Sequence, residues 1–107
     1  MSEETYPGWY SLIKKNHGEF IAALESLGEL GRKQGPLDEK TSQLIQLAAA
    51  AAIWSEGAVH SHARRALKMG AKPEEIYHAI LLLTSTIGFP RMSAAMSWVY
   101  DILEKKG

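Results

Sequence analysis

The chain has 107 residues, a length that fits one domain with a core of its own, and we expect a single domain over residues 1–107. Twelve Lys and Arg residues balance 12 Asp and Glu residues, so the formal net charge is zero. Binding to nucleic acid or to anionic membranes requires a basic excess, so we expect neither partner and favour a small-molecule ligand. The sequence has no cysteine, which excludes disulfides, thiolate metal ligands and thiol redox chemistry within this chain.

The N-terminus and the longest apolar stretch bear on targeting and on membrane insertion. The first four residues, MSEE, are acidic, whereas a signal peptide begins with basic residues and continues with apolar ones. The longest apolar stretch, residues 44–54, is only about half the length of roughly 20 residues that spans a bilayer. We therefore expect no membrane-spanning segment and a cytoplasmic location.

Two helices are predicted in the first third of the chain. Residues 6–16 have the pattern of a short helix, and Gly18 separates them from the next one. Over residues 18–34 the apolar positions are three and four apart, which places them on one face of a helix. These positions are Phe20, Ile21, Leu24, Leu27 and Leu30. Gly35 and Pro36 then end this helix.

A third helix begins after Asp38, whose carboxylate can cap it. Its inward positions include Leu47 and Ala51, and five consecutive alanines at residues 48–52 allow neighbouring helices to approach closely. We therefore expect this helix at the centre of a bundle. Residues 55–57, with the sequence SEG, combine a cap, an acidic first turn and a glycine, so we expect a kink or a short break there.

The second half of the chain is also helical by pattern. Residues 58–69 continue with helical spacing, and Pro73 opens a further helix whose buried face extends to Ile87. Residues 88–90, with the sequence GFP, separate it from a last amphipathic helix that ends at residues 105–106. No strand pattern is present. The sequence therefore predicts an all-α bundle of about six helices.

His62 is the first candidate for chemistry, because an imidazole exchanges protons near neutral pH. Ser55 precedes it by seven residues, about 10.5 Å along a helix, which is too far for the hydrogen bond of a serine–histidine pair. Ala58, four residues before His62, supplies no nucleophile. Most histidines in small domains do no chemistry, so the residue pattern leaves open a general acid or base and a structural side chain.

Three further side chains could take part in a site around His62. Glu56 is either a general acid or base, or a solvated carboxylate favoured at a helix N-terminus. Arg64 and Arg65 either hold a substrate carboxylate or are surface charges. His60 is two residues from His62 and does not form the i, i+4 pair of zinc-binding helices, so we predict no metal site and no cofactor.

Four segments occur in an order that is specific to one family: LDEKT at residues 37–41, HARRALKMGA at residues 62–71, PEEI at residues 73–76 and GFP at residues 88–90. With them, residues 37–98 resemble the carboxymuconolactone decarboxylase family, which includes the alkyl hydroperoxidase D-like proteins. The resemblance implies the alkyl hydroperoxidase D-like helical fold, assembled as a homotrimer or homohexamer.

The peroxidase branch of that family carries Cys-x-x-Cys-x-x-x-His, with a glutamate on the preceding helix. The corresponding positions in this chain are Ser55, Ala58, His62 and Gln43, so the histidine alone is kept. Thiol peroxidase activity is not expected, because neither serine nor alanine can replace the attacking and resolving thiols. The decarboxylase branch also lacks the cysteine pair and is similar to this chain at His62, although it usually has an acidic group where Ala58 stands.

The resemblance implies a cofactor-independent lyase or isomerase acting on a small carboxylated substrate. His62 would be the general acid or base and Glu56 its orienting partner. The residues expected to bind the substrate are Arg64, Arg65, Ser55 and Gln43. The alternative is a non-catalytic oligomeric binding or structural module on the same fold, which the replacement of three of the four relay positions favours.

Two regions are expected to form subunit contacts. Residues 48–54 and 88–100 are apolar over more surface than a monomer of this size covers. Trp54, Trp98 and Tyr100 add the large apolar groups that interfaces favour. These features predict self-association, while the number of subunits follows from the family resemblance.

Overall fold

The computed structural model describes residues 8–104. Within this range every regular element is helical and there is no β-strand, which confirms the predicted all-α fold. The predicted helix start at Tyr6 and the predicted helix end at residues 105–106 lie outside the described residues. None of the described helices has the length and apolar character needed to cross a membrane. The helical segments are α1 Gly8–Asn16, α2 Gly18–Arg32, α3 Glu39–Ala52, α4 Glu56–Lys68, α5 Pro73–Leu81, the single turn α6 Thr84–Ile87 and α7 Phe89–Leu103.

The described residues fall into two units, one up to Leu37 and one from Asp38. In the first unit α1 packs against α2, and Tyr10 Oη donates a hydrogen bond of 2.7 Å to Glu25 Oε2. Of the five apolar residues predicted on one face of α2, only Ile21 is buried. The exposed ones are Phe20, Leu24, Leu27 and Leu30. The single domain expected over the whole chain stays a prediction.

The second unit is built around a core formed by α3, α4, α5 and α7. Its largest fully buried side chains are Leu47, Ile76, Ile80, Val59 and Val99. From the alanine-rich segment, α3 adds two small buried side chains at positions 50 and 51. α3 contacts α4, α5 and α7, as expected for a helix whose small residues permit close approach on several sides.

The connection between α3 and α4 is a Schellman turn. The Trp54 N–H donates to the Ala51 carbonyl at 3.1 Å and the Ser55 N–H donates to the Ala50 carbonyl at 3.0 Å, which are the two bonds of that motif. Trp54 has a φ of 62°, a left-handed conformation that costs a residue with a side chain about 1–2 kcal/mol. The Arg91 guanidinium lies 4.6 Å from the Trp54 ring centroid, a cation–π contact that offsets part of this cost.

The same turn ends α4, with glycine in the left-handed position. Gly70 has a φ of 96° and its N–H donates to the Leu67 carbonyl at 3.1 Å. The Ala71 N–H donates to the Ala66 carbonyl at 2.9 Å. Glycine has no Cβ to clash with the backbone, so this turn carries no conformational penalty of the kind found at Trp54. A Schellman turn therefore precedes α4 and another follows it, with Trp54 in the left-handed position of the first and Gly70 in that of the second.

The helix starts follow the predicted caps. Asp38 Oδ1 accepts a 2.7 Å hydrogen bond from the Thr41 N–H at the start of α3. Ser55 Oγ accepts from the Ala58 N–H at 3.4 Å at the start of α4. The interruption between these helices lies at residues 53–55, two residues before the predicted 55–57, because Ser55 caps α4 and Glu56 is already helical.

The helix predicted from Pro73 to Ile87 is not continuous. α5 ends at Leu81 and α6 begins at Thr84, so the prediction of one helix was wrong. Thr84 Oγ1 donates to the Leu81 carbonyl at 2.9 Å. The Leu83 N–H donates to the Ile80 carbonyl, three residues earlier, at 3.0 Å, so α5 ends in a tightened turn before α6 begins.

Candidate functional site

α4 carries two histidines on opposite edges of its buried stripe. Val59, Ala63 and Ala66 are fully buried and recur at spacings of four and three, so they form the stripe that packs into the core. His60 and His62 are two residues apart and therefore project about 160° from each other around the helix axis. His62 bonds to a residue of α3, and His60 bonds to a residue of α7.

The first histidine pair joins α4 to α3. His62 Nδ1 lies 2.8 Å from Gln43 Oε1. A carbonyl oxygen can only accept a hydrogen bond, so His62 donates from Nδ1 and the basic lone pair of its neutral ring is on Nε2. Gln43 is 2% exposed and His62 is half-buried, which places this pair at the edge of the core. The structure thus brings together two of the predicted site residues.

Gln46 is a polar residue that the sequence analysis did not assign to the site. It follows Gln43 by three residues and therefore lies on the same side of α3, one turn later. Its Oε1 is buried and has no hydrogen-bond partner within residues 8–104. A buried acceptor without a partner costs about 1–3 kcal/mol, a cost that a ligand donating a hydrogen bond would remove. Its position one turn from Gln43 was the sequence signal for it.

Ser55 and Ala58 occupy the first turn of α4. The Ser55 hydroxyl accepts the Ala58 N–H and so serves as the helix cap. Both residues are half-buried. Ser55 precedes His62 by seven residues, about 10.5 Å along the axis, so the helix holds the serine hydroxyl away from the imidazole.

The two arginines of α4 lie on different sides of the helix. Arg65 follows His62 by three residues and shares its side, whereas Arg64 follows His60 by four residues and shares the other side. Both are half-buried. Burial lowers the pKa of the Arg64 guanidinium below its ordinary value, and the Arg64 Nε has no hydrogen-bond partner in the described part of the chain. Arg65 is therefore the arginine on the side of the His62–Gln43 pair.

The second histidine pair joins α4 to α7. His60 Nε2 lies 3.2 Å from Asp101 Oδ2. Glu56 precedes His60 by one turn, and one ligand-type atom from each of the three residues lies within 4.8 Å of the others. Glu56 and His62 project about 120° apart around the axis, so the structure groups Glu56 with His60 and Asp101. Asp101 was not among the residues predicted from the sequence, because it is 45 positions from Glu56 in the chain.

Comparison with known proteins identifies the family. The Carboxymuconolactone decarboxylase family matches residues 18–101, which is most of the chain, and the protein belongs to this family. An uncharacterized protein of Methanocaldococcus jannaschii is 31% identical over 91 residues, which cover 85% of this chain and 85% of that protein. No solved structure gives a significant match. The resemblance of residues 37–98 is confirmed, and the match extends it toward the N-terminus to Gly18.

Proposed function

We propose that this protein is a lyase or isomerase in which His62 is the general acid and base. The hydrogen bond between His62 and Gln43 carries the proposal, because it holds Nδ1 as a donor and orients the ring, so that Nε2 is the basic nitrogen of the neutral imidazole. The burial of Gln43 supports it, since a packed partner holds the imidazole in one orientation. The orienting role that the sequence suggested for Glu56 belongs to Gln43 in this proposal, because Glu56 lies with His60.

The chemistry follows from a histidine held in this way. Decarboxylation of a lactone acid breaks the bond between the carboxylate carbon and the ring, releases carbon dioxide and leaves an electron-rich dienolate. The His62 imidazolium donates its Nε2 proton to a carbon of this dienolate and becomes neutral, and solvent then returns the proton. The Gln43 carbonyl accepts from Nδ1 in both protonation states. An isomerase would use the same Nε2 first as a base and then as an acid.

Two side chains are suited to bind the substrate beside His62. Arg65 shares the side of His62 and can bind a carboxylate through two parallel hydrogen bonds. Gln46 offers a buried oxygen that can accept a hydrogen bond from a substrate hydroxyl. The proposed substrate is therefore a small carboxylic acid that also carries a hydrogen-bond donor. Arg65, and not Arg64, is the proposed partner of its carboxylate.

The test is a turnover assay with small carboxylated lactones, in which the release of carbon dioxide measures the rate. His62→Ala is expected to lower the rate about 100-fold or more, because general acid–base catalysis contributes that much. His60→Ala is the matched control and is expected to retain the rate, with circular dichroism checking helix content in both variants. A His62→Ala protein as active as wild type would contradict the proposal.

A non-catalytic binding or structural module on the same fold is the second candidate. Ser55 favours it, because its hydroxyl is used as a helix cap at a position where the peroxidase branch has a reactive thiol. In such a module, His62→Ala would lower the free energy of unfolding and leave ligand binding unchanged. Wild-type protein that binds carboxylated lactones without converting them would support this candidate.

We also propose that the protein is a homotrimer or homohexamer. Large apolar side chains are exposed in both regions predicted to form subunit contacts. In a stable interface, a partner subunit would cover each of these side chains. They are Ile53, Trp54, Phe89 and Tyr100. Light scattering at micromolar concentration tests the proposal, and a mass of 11.8 kDa, that of one chain, would overturn it. The cytoplasmic location stays a prediction.

A further inference from the structure

We propose that Glu56, His60 and Asp101 form a second site, which binds a divalent transition-metal ion such as Zn²⁺ between α4 and α7. The three side chains supply one imidazole nitrogen and two carboxylate oxygens, all of which are zinc ligands in proteins. This site is separate from the proposed acid–base centre, because His60 and His62 project about 160° apart.

The spacing of the ligand atoms fits a tetrahedral ion. Zinc bonds to nitrogen and oxygen of about 2.0–2.2 Å separate neighbouring ligand atoms by roughly 3.4 Å. His60 Nε2 and Asp101 Oδ2 are already 3.2 Å apart. The third ligand atom, from Glu56, lies within 4.8 Å of the other two, and its exposed side chain reaches the shorter spacing by bond rotation.

Both helices hold their ligands on rigid backbone. Glu56 and His60 are at positions i and i+4 of α4, the spacing at which two side chains of a helix bind one ion. Asp101 lies in the last turn of α7, two residues after the fully buried Val99. Ligands on packed helices keep their geometry better than ligands on loops. An ion would thus link the beginning of α4 to the end of α7.

The ligand set also selects the kind of ion. Two carboxylates give the cluster a negative charge, and this charge exceeds the positive charge of Arg64, which follows His60 by one turn. Carboxylates alone suit Mg²⁺, whereas the imidazole favours zinc and its neighbours in the first transition row. Three protein ligands leave a fourth coordination position for water.

The experiment is a calorimetric titration of chelator-treated full-length protein with Zn²⁺. One ion per chain is expected, with a dissociation constant of about 10 µM or lower, and Mg²⁺ in excess should not compete. His60→Ala should weaken binding about tenfold or more. Glu56→Gln, a change at an exposed position that keeps side-chain size, should also weaken it and guards against a folding defect in the first variant.

The control is His78→Ala, which removes an exposed histidine from α5 and should leave zinc affinity unchanged. The proposal would be overturned by absence of zinc binding, by equal affinity in His60→Ala and wild type, or by equal losses in His60→Ala and His78→Ala. His62→Ala should bind zinc as wild type does. If His62→Ala keeps its turnover, the acid–base proposal is contradicted and the metal site is unaffected. If His60→Ala keeps its zinc affinity, the metal site is contradicted and the acid–base proposal is unaffected.

Discussion

The two sides of α4 place the same kind of side chain in opposite surroundings. His62 bonds to Gln43, an uncharged residue that is 2% exposed, whereas His60 bonds to Asp101, a carboxylate whose side chain is 56% exposed. Burying a charge costs far more than burying a hydrogen-bonded amide, so the inner pair has a neutral partner and the outer pair has a charged one. Two positions along one helix thus give one imidazole an uncharged, buried partner and the other a charged, exposed one, and the two proposed sites rest on this difference.

The largest effect is expected at the inner pair. Gln43→Met keeps the side-chain size but leaves the half-buried Nδ1 donor of His62 without its amide acceptor, which should lower the free energy of unfolding by about 1–3 kcal/mol. Urea denaturation followed by circular dichroism measures this. Gln46→Met is the matched control and should be neutral or stabilising, because it removes a buried acceptor that has no partner in the described chain. If both variants lost the same free energy of unfolding, the loss in Gln43→Met would not come from the bond to His62.

The turns at the two ends of α4 extend the comparison. Gly70→Ala should cost about 1–2 kcal/mol, because an alanine must adopt the left-handed conformation. A Cβ at this position has no atom within 4 Å apart from its own chain neighbours, so the cost comes from the backbone alone. Within one chain, Trp54→Gly should cost less than Gly70→Ala, since relief at the backbone is offset by loss of the contact with Arg91. Thermal unfolding of both variants checks this, and a larger loss for Trp54→Gly would contradict it.

The smallest effect is expected at the outer pair. Asp101→Asn in metal-free buffer should change the free energy of unfolding by less than about 0.5 kcal/mol, because exposed ion pairs contribute little. The same denaturation experiment measures it, with wild type in high salt as the reference for screened charges. A loss above about 1 kcal/mol would show that this pair is as important to the fold as the inner one, and the contrast between the two sides would fail.

Sequence patterns predicted the features that depend on residues close in the chain. The caps at Asp38 and Ser55 were predictable, because a capping side chain acts on a backbone group three residues away. The grouping of Asp101 with Glu56 was not, since it depends on how two distant helices pack. The break before Thr84 was missed because the apolar spacing continues through it and gives no sign of an interruption.

The exposed face of α2 shows a different limit. The spacing of its apolar residues defines one side of a helix, but spacing alone does not say what covers that side. Of the five apolar residues on that side of α2, Ile21 alone is buried by other described residues. The His62–Gln43 bond lies between these extremes: the family resemblance named both residues, and the structure supplied the contact and its direction.

Ser55 lies between α3 and α4 and is hydrogen-bonded to both helices. Its N–H completes the hydrogen bonding of α3, while its hydroxyl starts that of α4. Rotation of the backbone between the two helices would lengthen or break these bonds. α3 and α4 are therefore expected to open together as one cooperative unit in native-state hydrogen exchange.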